Sequence, residues 1–210
     1  MKISYSKGKQ NKIHVSVDGE YRFTVDAEYW FLTPWSRLDE IKDGEESEKF
    51  LNEVGSRYAF VSGLRLLSYA DNSRRDLFRK LTRKGHDPAY VNNALDKLEE
   101  LGYVNDMRFA ENTADRLLRT KHMSRSGIKS ELLRKGIGAE IIQDVLERLE
   151  IDPAKEIEAL IEKKYYRYLT DEKGLRKTVA ALQRLGYSWS DIKSAIRKYT
   201  DGREEFDSDD

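Results

Sequence analysis

Leu81-Thr82-Arg83-Lys84-Gly85, Leu132-Leu133-Arg134-Lys135-Gly136 and Leu182-Gln183-Arg184-Leu185-Gly186 are three copies of one phrase, their glycines 51 and then 50 residues apart. The apolar positions around them keep step: Leu81, Leu132 and Leu182 before the glycine, Val91, Ile142 and Ile192 after it, then Leu95, Leu146 and Ile196. Self-similarity at a constant period marks one supersecondary unit copied in tandem. The expectation is an elongated array of small units with an extended surface, suited to a partner that is itself long.

Composition narrows the alternatives. With 36% charged and 39% hydrophobic residues in 210 positions, the chain is thin for one large core and fits small units in series. The absence of cysteine removes disulfides and thiolate metal sites and suits a reducing cytoplasm. No apolar run approaches the ~18 residues of a membrane span, and Met1-Lys2-Ile3-Ser4 does not open a signal-peptide core. A cytoplasmic protein without a membrane partner is expected.

A net charge of zero conceals segregation. Between Gly63 and Lys135 there are 16 Lys/Arg against 10 Asp/Glu, an excess of six that the rest of the chain cancels with 22 against 28. Part of the acid lies in Asp201 to Asp210, six acidic residues and one arginine, a tail too polar to pack and expected to be disordered.

The N-terminal residues have a different grammar. Ile13, Val15 and Val17, then Tyr21, Phe23 and Val25, alternate with polar residues around Asp18-Gly19, which predicts a β-hairpin. Ile3 and Tyr5 can add a third strand, and Trp30, Phe31 and Trp35 around Pro34 are expected to join this sheet to the helical part of the chain. From about Glu45 the spacing turns helical, three helices to each repeat. Ser73 with Asp76 resembles a capping box, Gly85 is placed to end a helix in the left-handed conformation, and Asp87-Pro88 and Asp152-Pro153 read as N-cap then proline. The expected units are residues 1–44 for the β element and linker, 45–102, 103–151 and 152–200 for the helical repeats, and 201–210 for the acidic tail.

Charge differs by helix. Arg74 to Lys84 carries six basic residues and one acidic, and Arg125 to Lys135 four and one, whereas the third helices are acidic around Asp96, Glu99 and Glu100 and around Glu140, Asp144, Glu147 and Glu150. In a helix-turn-helix the third helix would enter the major groove, where acid is repelled by phosphate. Any nucleic-acid contact is therefore assigned to the second helices. The candidate contact residues are Arg74, Arg75, Arg79, Lys80, Arg83 and Lys84, the run Arg116, Arg119, Lys121 and Arg125, and Lys129, Arg134 and Lys135. Arginine forks suit phosphates and carboxylates alike. The plain alternative is a solvated basic surface.

The stretch Leu101-Gly102-Tyr103-Val104-Asn105-Asp106-Met107-Arg108-Phe109-Ala110, then Arg116, then Gly127-Ile128-Lys129-Ser130-Glu131-Leu132-Leu133-Arg134-Lys135-Gly136-Ile137, closely resembles the signature of the bacterial RecX family. Ser73 to Gly85 looks like that family's first-repeat motif. The match is strong over 64–149 and looser in the third repeat, where Tyr187 and Trp189 replace smaller residues. The resemblance implies three tandem three-helix units, no enzymatic activity, and regulation of the RecA recombinase by binding along the groove of its DNA filament, with effects on filament growth, ATP hydrolysis, strand exchange and the co-protease function of the SOS response. DNA repair and homologous recombination are the implied setting. The alternative is an autonomous DNA-binding protein acting through its basic second helices.

The remaining residues argue against catalysis. Asp106 is expected to cap a helix, Tyr103 and Phe109 to pack in the core or between repeats, and His14, His86 and His122 to be surface residues without metal-ligand or triad spacing. No Gly-rich phosphate loop occurs. A monomer without cofactor or metal is expected.

Overall fold

The computed structural model describes residues 1–199, so the acidic tail and Thr200 lie outside the described residues. The chain divides into two compact units, the first Met1–Asn105 and the second beginning at Asp106.

The first unit opens with three antiparallel strands in the order β1 (Ile3–Lys7), β2 (Lys12–Val17) and β3 (Glu20–Asp26). Asp18 at φ 51° and Gly19 at φ 85° make the expected two-residue turn. Val17 pairs with Glu20 and Ser16 with Tyr21, but Val15 pairs with Phe23, so one extra residue, Arg22, is accommodated on β3. This bulge breaks the alternation: Phe23 and Val25 are buried, whereas Tyr21 is 55% exposed.

Beneath the sheet, Ile3, Ile13, Val15, Val17, Phe23 and Val25 pack on Trp30 of α1 (Ala27–Leu32), Trp35 of a 3-10 turn (Pro34–Arg37) and Phe50 and Val54 of α2 (Glu45–Leu67). The Trp35 indole donates to the Glu53 carboxylate at 2.9 Å. Phe31 stays largely exposed at the margin, its ring 5.8 Å from that of Tyr5. Asp26 ties the end of β3 to its surroundings, bonded to Lys12 at 2.5 Å and Arg57 at 2.9 Å. Burial works to raise the Asp26 carboxyl, and the bonds and charges of Lys12 and Arg57 outweigh it, holding the group below the usual carboxylate range.

Helix α2 serves two cores. Its first half supports the sheet, and its second half, from Ala59, joins Leu77 and Leu81 of α3 (Arg74–Arg83) and Val91, Leu95 and Leu98 of α4 (Pro88–Glu100). Ser73 caps α3 by accepting from the Asp76 N–H at 3.1 Å, and Asp87 caps α4 by accepting from Ala89 N–H at 2.8 Å. Between them Gly85 stands at φ 88°, the left-handed helix end expected of it.

The second unit holds two more three-helix sets. The first is α5 (Asp106–Lys121), α6 (Arg125–Arg134) and α7 (Ala139–Arg148), around Ala110, Ala114, Ile128, Leu132, Ile142 and Val145. The second is α8 (Pro153–Leu160), α9 (Glu172–Arg184) and α10 (Trp189–Arg197), around Ile157, Leu160, Leu182, Ile192 and Ile196. Helix α8 runs into a π turn, Ile161–Tyr165, and then a 3-10 turn, Tyr166–Tyr168. Leu185 packs against both cores of this unit. Helix α5 begins at Asp106 itself, so the cap position falls one residue earlier than expected, on Asn105.

Candidate functional site

The basic residues of the first repeat separate into two kinds. Arg74, immediately after the capping serine of α3, turns inward to α4 and binds Asp96 at 2.7 Å and Glu99 at 2.5 Å. Lys80 donates to the side chain of Asn72. Arg75, Arg79 and Arg83 are one helical turn apart and exposed, and Lys84 comes after them at the helix end. Arg79 has only a long contact with Asp76, 3.8 Å, while Arg75, Arg83 and Lys84 make no ion pair among the described residues. The outer face of α3 therefore presents a row of guanidinium groups at helical spacing, able to meet successive phosphates or carboxylates.

The second repeat repeats this division. Arg125, 51 positions after Arg74 and likewise next to a capping serine, reaches the end of α7, donating to the Leu146 carbonyl and to that of Leu149 at 2.9 Å. It adds donors at the C-terminal end of α7, where the Leu146 carbonyl also accepts from the Leu149 N–H at 3.2 Å. Arg116, Arg119 and Lys121 lie on the last turns of α5, the first helix of the repeat, where cations complement the helix dipole. Arg119 binds Asp115 at 2.6 Å, and Arg134 binds Glu131 at 2.5 Å. Arg116, Lys121 and Lys129 are exposed without an ion pair among the described residues.

The two repeats of the second unit are interlocked through groups that sequence spacing does not connect. The Ser124 N–H donates to the Leu185 carbonyl at 3.1 Å, and the Tyr187 hydroxyl donates to the His122 carbonyl at 2.6 Å. His122, at φ 51°, also meets Glu156 with its Nδ1 at 2.6 Å. A methyl on Gly127 would overlap the Leu185 carbonyl oxygen, and one on Gly186 the Gly127 nitrogen. Tyr187 is thus buried junction packing, while Trp189 is 45% exposed at the start of α10.

Two expectations about aromatic and histidine side chains change. Tyr103 is 52% exposed, whereas Phe109 does pack against the second-repeat core. Of the histidines expected at the surface, His86 is buried with its ring 4.4 Å from that of Tyr58, while His122 and His14 are half-buried, His122 engaged by Glu156 and His14 bonded to Thr24 at 2.7 Å. Burial first, and the charge of Lys84 second, lower the His86 imidazole below its ordinary value. Among the described residues no group of three or more His, Cys, Asp or Glu is placed to hold a metal ion, and no helix is long and apolar enough to cross a membrane.

Comparison with known proteins agrees with this arrangement. Residues 59–98, 105–146 and 152–196 match the models for the first, second and third three-helix domains of RecX. The regulatory protein RecX of Caldanaerobacter subterraneus subsp. tengcongensis is 31% identical over 90% of this chain and 93% of its own length. That of Clostridium tetani is 29% identical over 96% and 95%. A crystal structure of a regulatory protein RecX superposes with a TM-score of 0.63 at 23% identity over 94% of this chain and 98% of its own, and RecX from Lactobacillus salivarius with 0.56 at 25% over 69% and 96%. Three domain matches in order, on three sets of helices whose second helices each end at a glycine, make this chain a member of the RecX family of regulatory proteins.

Proposed function

We propose that the chain is a non-enzymatic regulator that binds the RecA–DNA filament and modulates filament growth, ATP hydrolysis, strand exchange and co-protease function. The modules are residues 45–102, 103–151 and 152–200, and the place of action is the cytoplasm. The observation that carries this reading is the exposed guanidinium row Arg75, Arg79 and Arg83 on α3, on a chain whose relatives are named regulatory proteins. Within the basic set, Arg75, Arg79, Arg83, Lys84, Arg116, Arg119, Lys121 and Lys129 supply the contacts. Arg74 and Arg125 act as positioning residues, holding the second helix against the third in the first two repeats.

The test compares binding of the labelled chain to a preformed recombinase–DNA filament, to bare DNA and to the recombinase alone at one salt concentration. Tighter binding to the filament than to either component is expected. Equal binding to bare DNA, with a steep salt dependence, would replace this reading with that of an autonomous DNA-binding protein.

A further inference from the structure

The first helix of the third repeat departs from its counterparts. Helices α2 and α5 run as uninterrupted α-helices, but α8 widens into a π turn at Ile161–Tyr165 and tightens into a 3-10 turn at Tyr166–Tyr168. Such π turns inside helices recur at functional sites, where they re-aim side chains. The sequence through this break is Lys163-Lys164-Tyr165-Tyr166-Arg167-Tyr168. Ile161 and Leu169 are buried and anchor its two ends. Between them Tyr166 is 63% and Tyr168 54% exposed, the Tyr166 ring meeting that of Tyr199 only edge-on at 6.3 Å.

The turn is held in place on α9. The Tyr168 carbonyl lies so close to Gly174 that no side chain could replace the glycine hydrogen. Nearby acid is largely engaged elsewhere. Asp171 caps α9 by accepting from the Gly174 N–H at 2.6 Å, and Glu172 binds Arg176. Lys163, Lys164, Arg167 and Lys177 are exposed and make no ion pair among the described residues. From Ile161 to Arg184 there are seven basic residues and three acidic.

Exposed aromatic rings interleaved with unpaired cations are what a single strand of nucleic acid requires. Its unpaired bases offer π faces to stack on tyrosine, and its phosphates meet lysine and arginine. A duplex offers the same phosphates but keeps its base faces covered. We propose that Lys163, Lys164, Tyr166, Arg167, Tyr168 and Lys177 form a contact site for single-stranded nucleic acid, in which the tyrosines stack on bases and the cations track the backbone. The site is separate from the α3 row and does not depend on the filament reading, because it acts on the bare strand.

The experiment uses the full chain and a fluorescent oligothymidylate, with a duplex of matched length alongside. The unsubstituted chain should bind the single strand more tightly than the duplex. Tyr166→Ala with Tyr168→Ala should weaken single-strand binding at least roughly tenfold, while Tyr166→Phe with Tyr168→Phe, which keeps the ring faces, should retain it. Lys163→Glu with Lys164→Glu should make the salt dependence shallower. Native circular dichroism is checked for each variant. The proposal is overturned by unchanged affinity in the natively folded alanine variant, by an equal loss in the phenylalanine variant, or by a parent chain that prefers the duplex. Filament binding, measured separately on the Arg75 and Arg79 variants, reports on the proposed function independently of these outcomes.

Discussion

At the scale of single residues, His86 and the glycines show how local identity acquires meaning from its surroundings. His86 has a lowered affinity for a proton in the folded state because it is buried and lies near Lys84. The unfolded chain therefore takes up that proton at higher pH than the folded one, and stability falls as pH drops below about 6.5. Replacing His86 with phenylalanine, which preserves a ring against Tyr58, should flatten this decline. Melting temperatures of parent and variant at about pH 7 and pH 5 would check it, and parallel declines would remove His86 as the cause. Gly85 and Gly186 share a left-handed backbone, φ 88° and 89°, but only Gly186 abuts another repeat. Gly85→Ala should cost about 1–2 kcal/mol from backbone strain. Gly186→Ala should cost more, because its methyl also meets the Gly127 backbone, and denaturant unfolding of the two variants orders them.

At the scale of elements, the second helices of the first two repeats use their first arginine internally and turn the others outward. Arg125→Ala removes the side-chain donor to the Leu149 carbonyl and one of the two donors to the Leu146 carbonyl, which keeps the Leu149 N–H, and should destabilise the second unit by about 1–2 kcal/mol. Arg75→Glu with Arg79→Glu breaks only the long Arg79–Asp76 contact of 3.8 Å and should change stability by no more than about 0.5 kcal/mol. The same double variant should lose filament or DNA binding. Denaturant titration combined with a binding assay separates these effects, and a folded double variant with unchanged affinity would leave the α3 row merely solvated. The helix boundaries were legible because serine caps, Asp-Pro starts and glycine ends act within a few residues. That Arg74 and Arg125 differ from their neighbours was not legible, since charge counting weighs every arginine equally.

At the scale of the whole molecule, the described chain consists of two compact units, and the second is not a simple pair of independent repeats. Ser124 to Leu185, His122 to Tyr187 and His122 to Glu156 join its two helical sets. A chain ending at Ile151 would lose the Leu185 and Tyr187 partners. At roughly 1 kcal/mol for each of these two hydrogen bonds, the second repeat should lose about 2 kcal/mol or more. Hydrogen exchange in α6 of the shortened chain should accelerate accordingly, whereas unchanged protection would mean that the junction contributes little. Filament affinity of that chain should also fall at least roughly tenfold if several modest contacts act together.

By itself the sequence determined the β-hairpin, the three helical repeats, the Ser73 and Asp87 caps and the glycine end at Gly85. Alternation, helical periodicity and capping are properties of neighbouring residues and survive without knowledge of the rest of the chain. Only tertiary structure decided that Arg22 bulges and turns Tyr21 outward, that Arg74 and Arg125 are used internally, and that α8 breaks where its tyrosines stand exposed. It also decided that the second and third repeats interlock. Those outcomes depend on partners distant in sequence, 22 residues from Arg74 to Asp96 and 65 from His122 to Tyr187, and burial and hydrogen bonding act on what folding brings together rather than on what the chain places side by side.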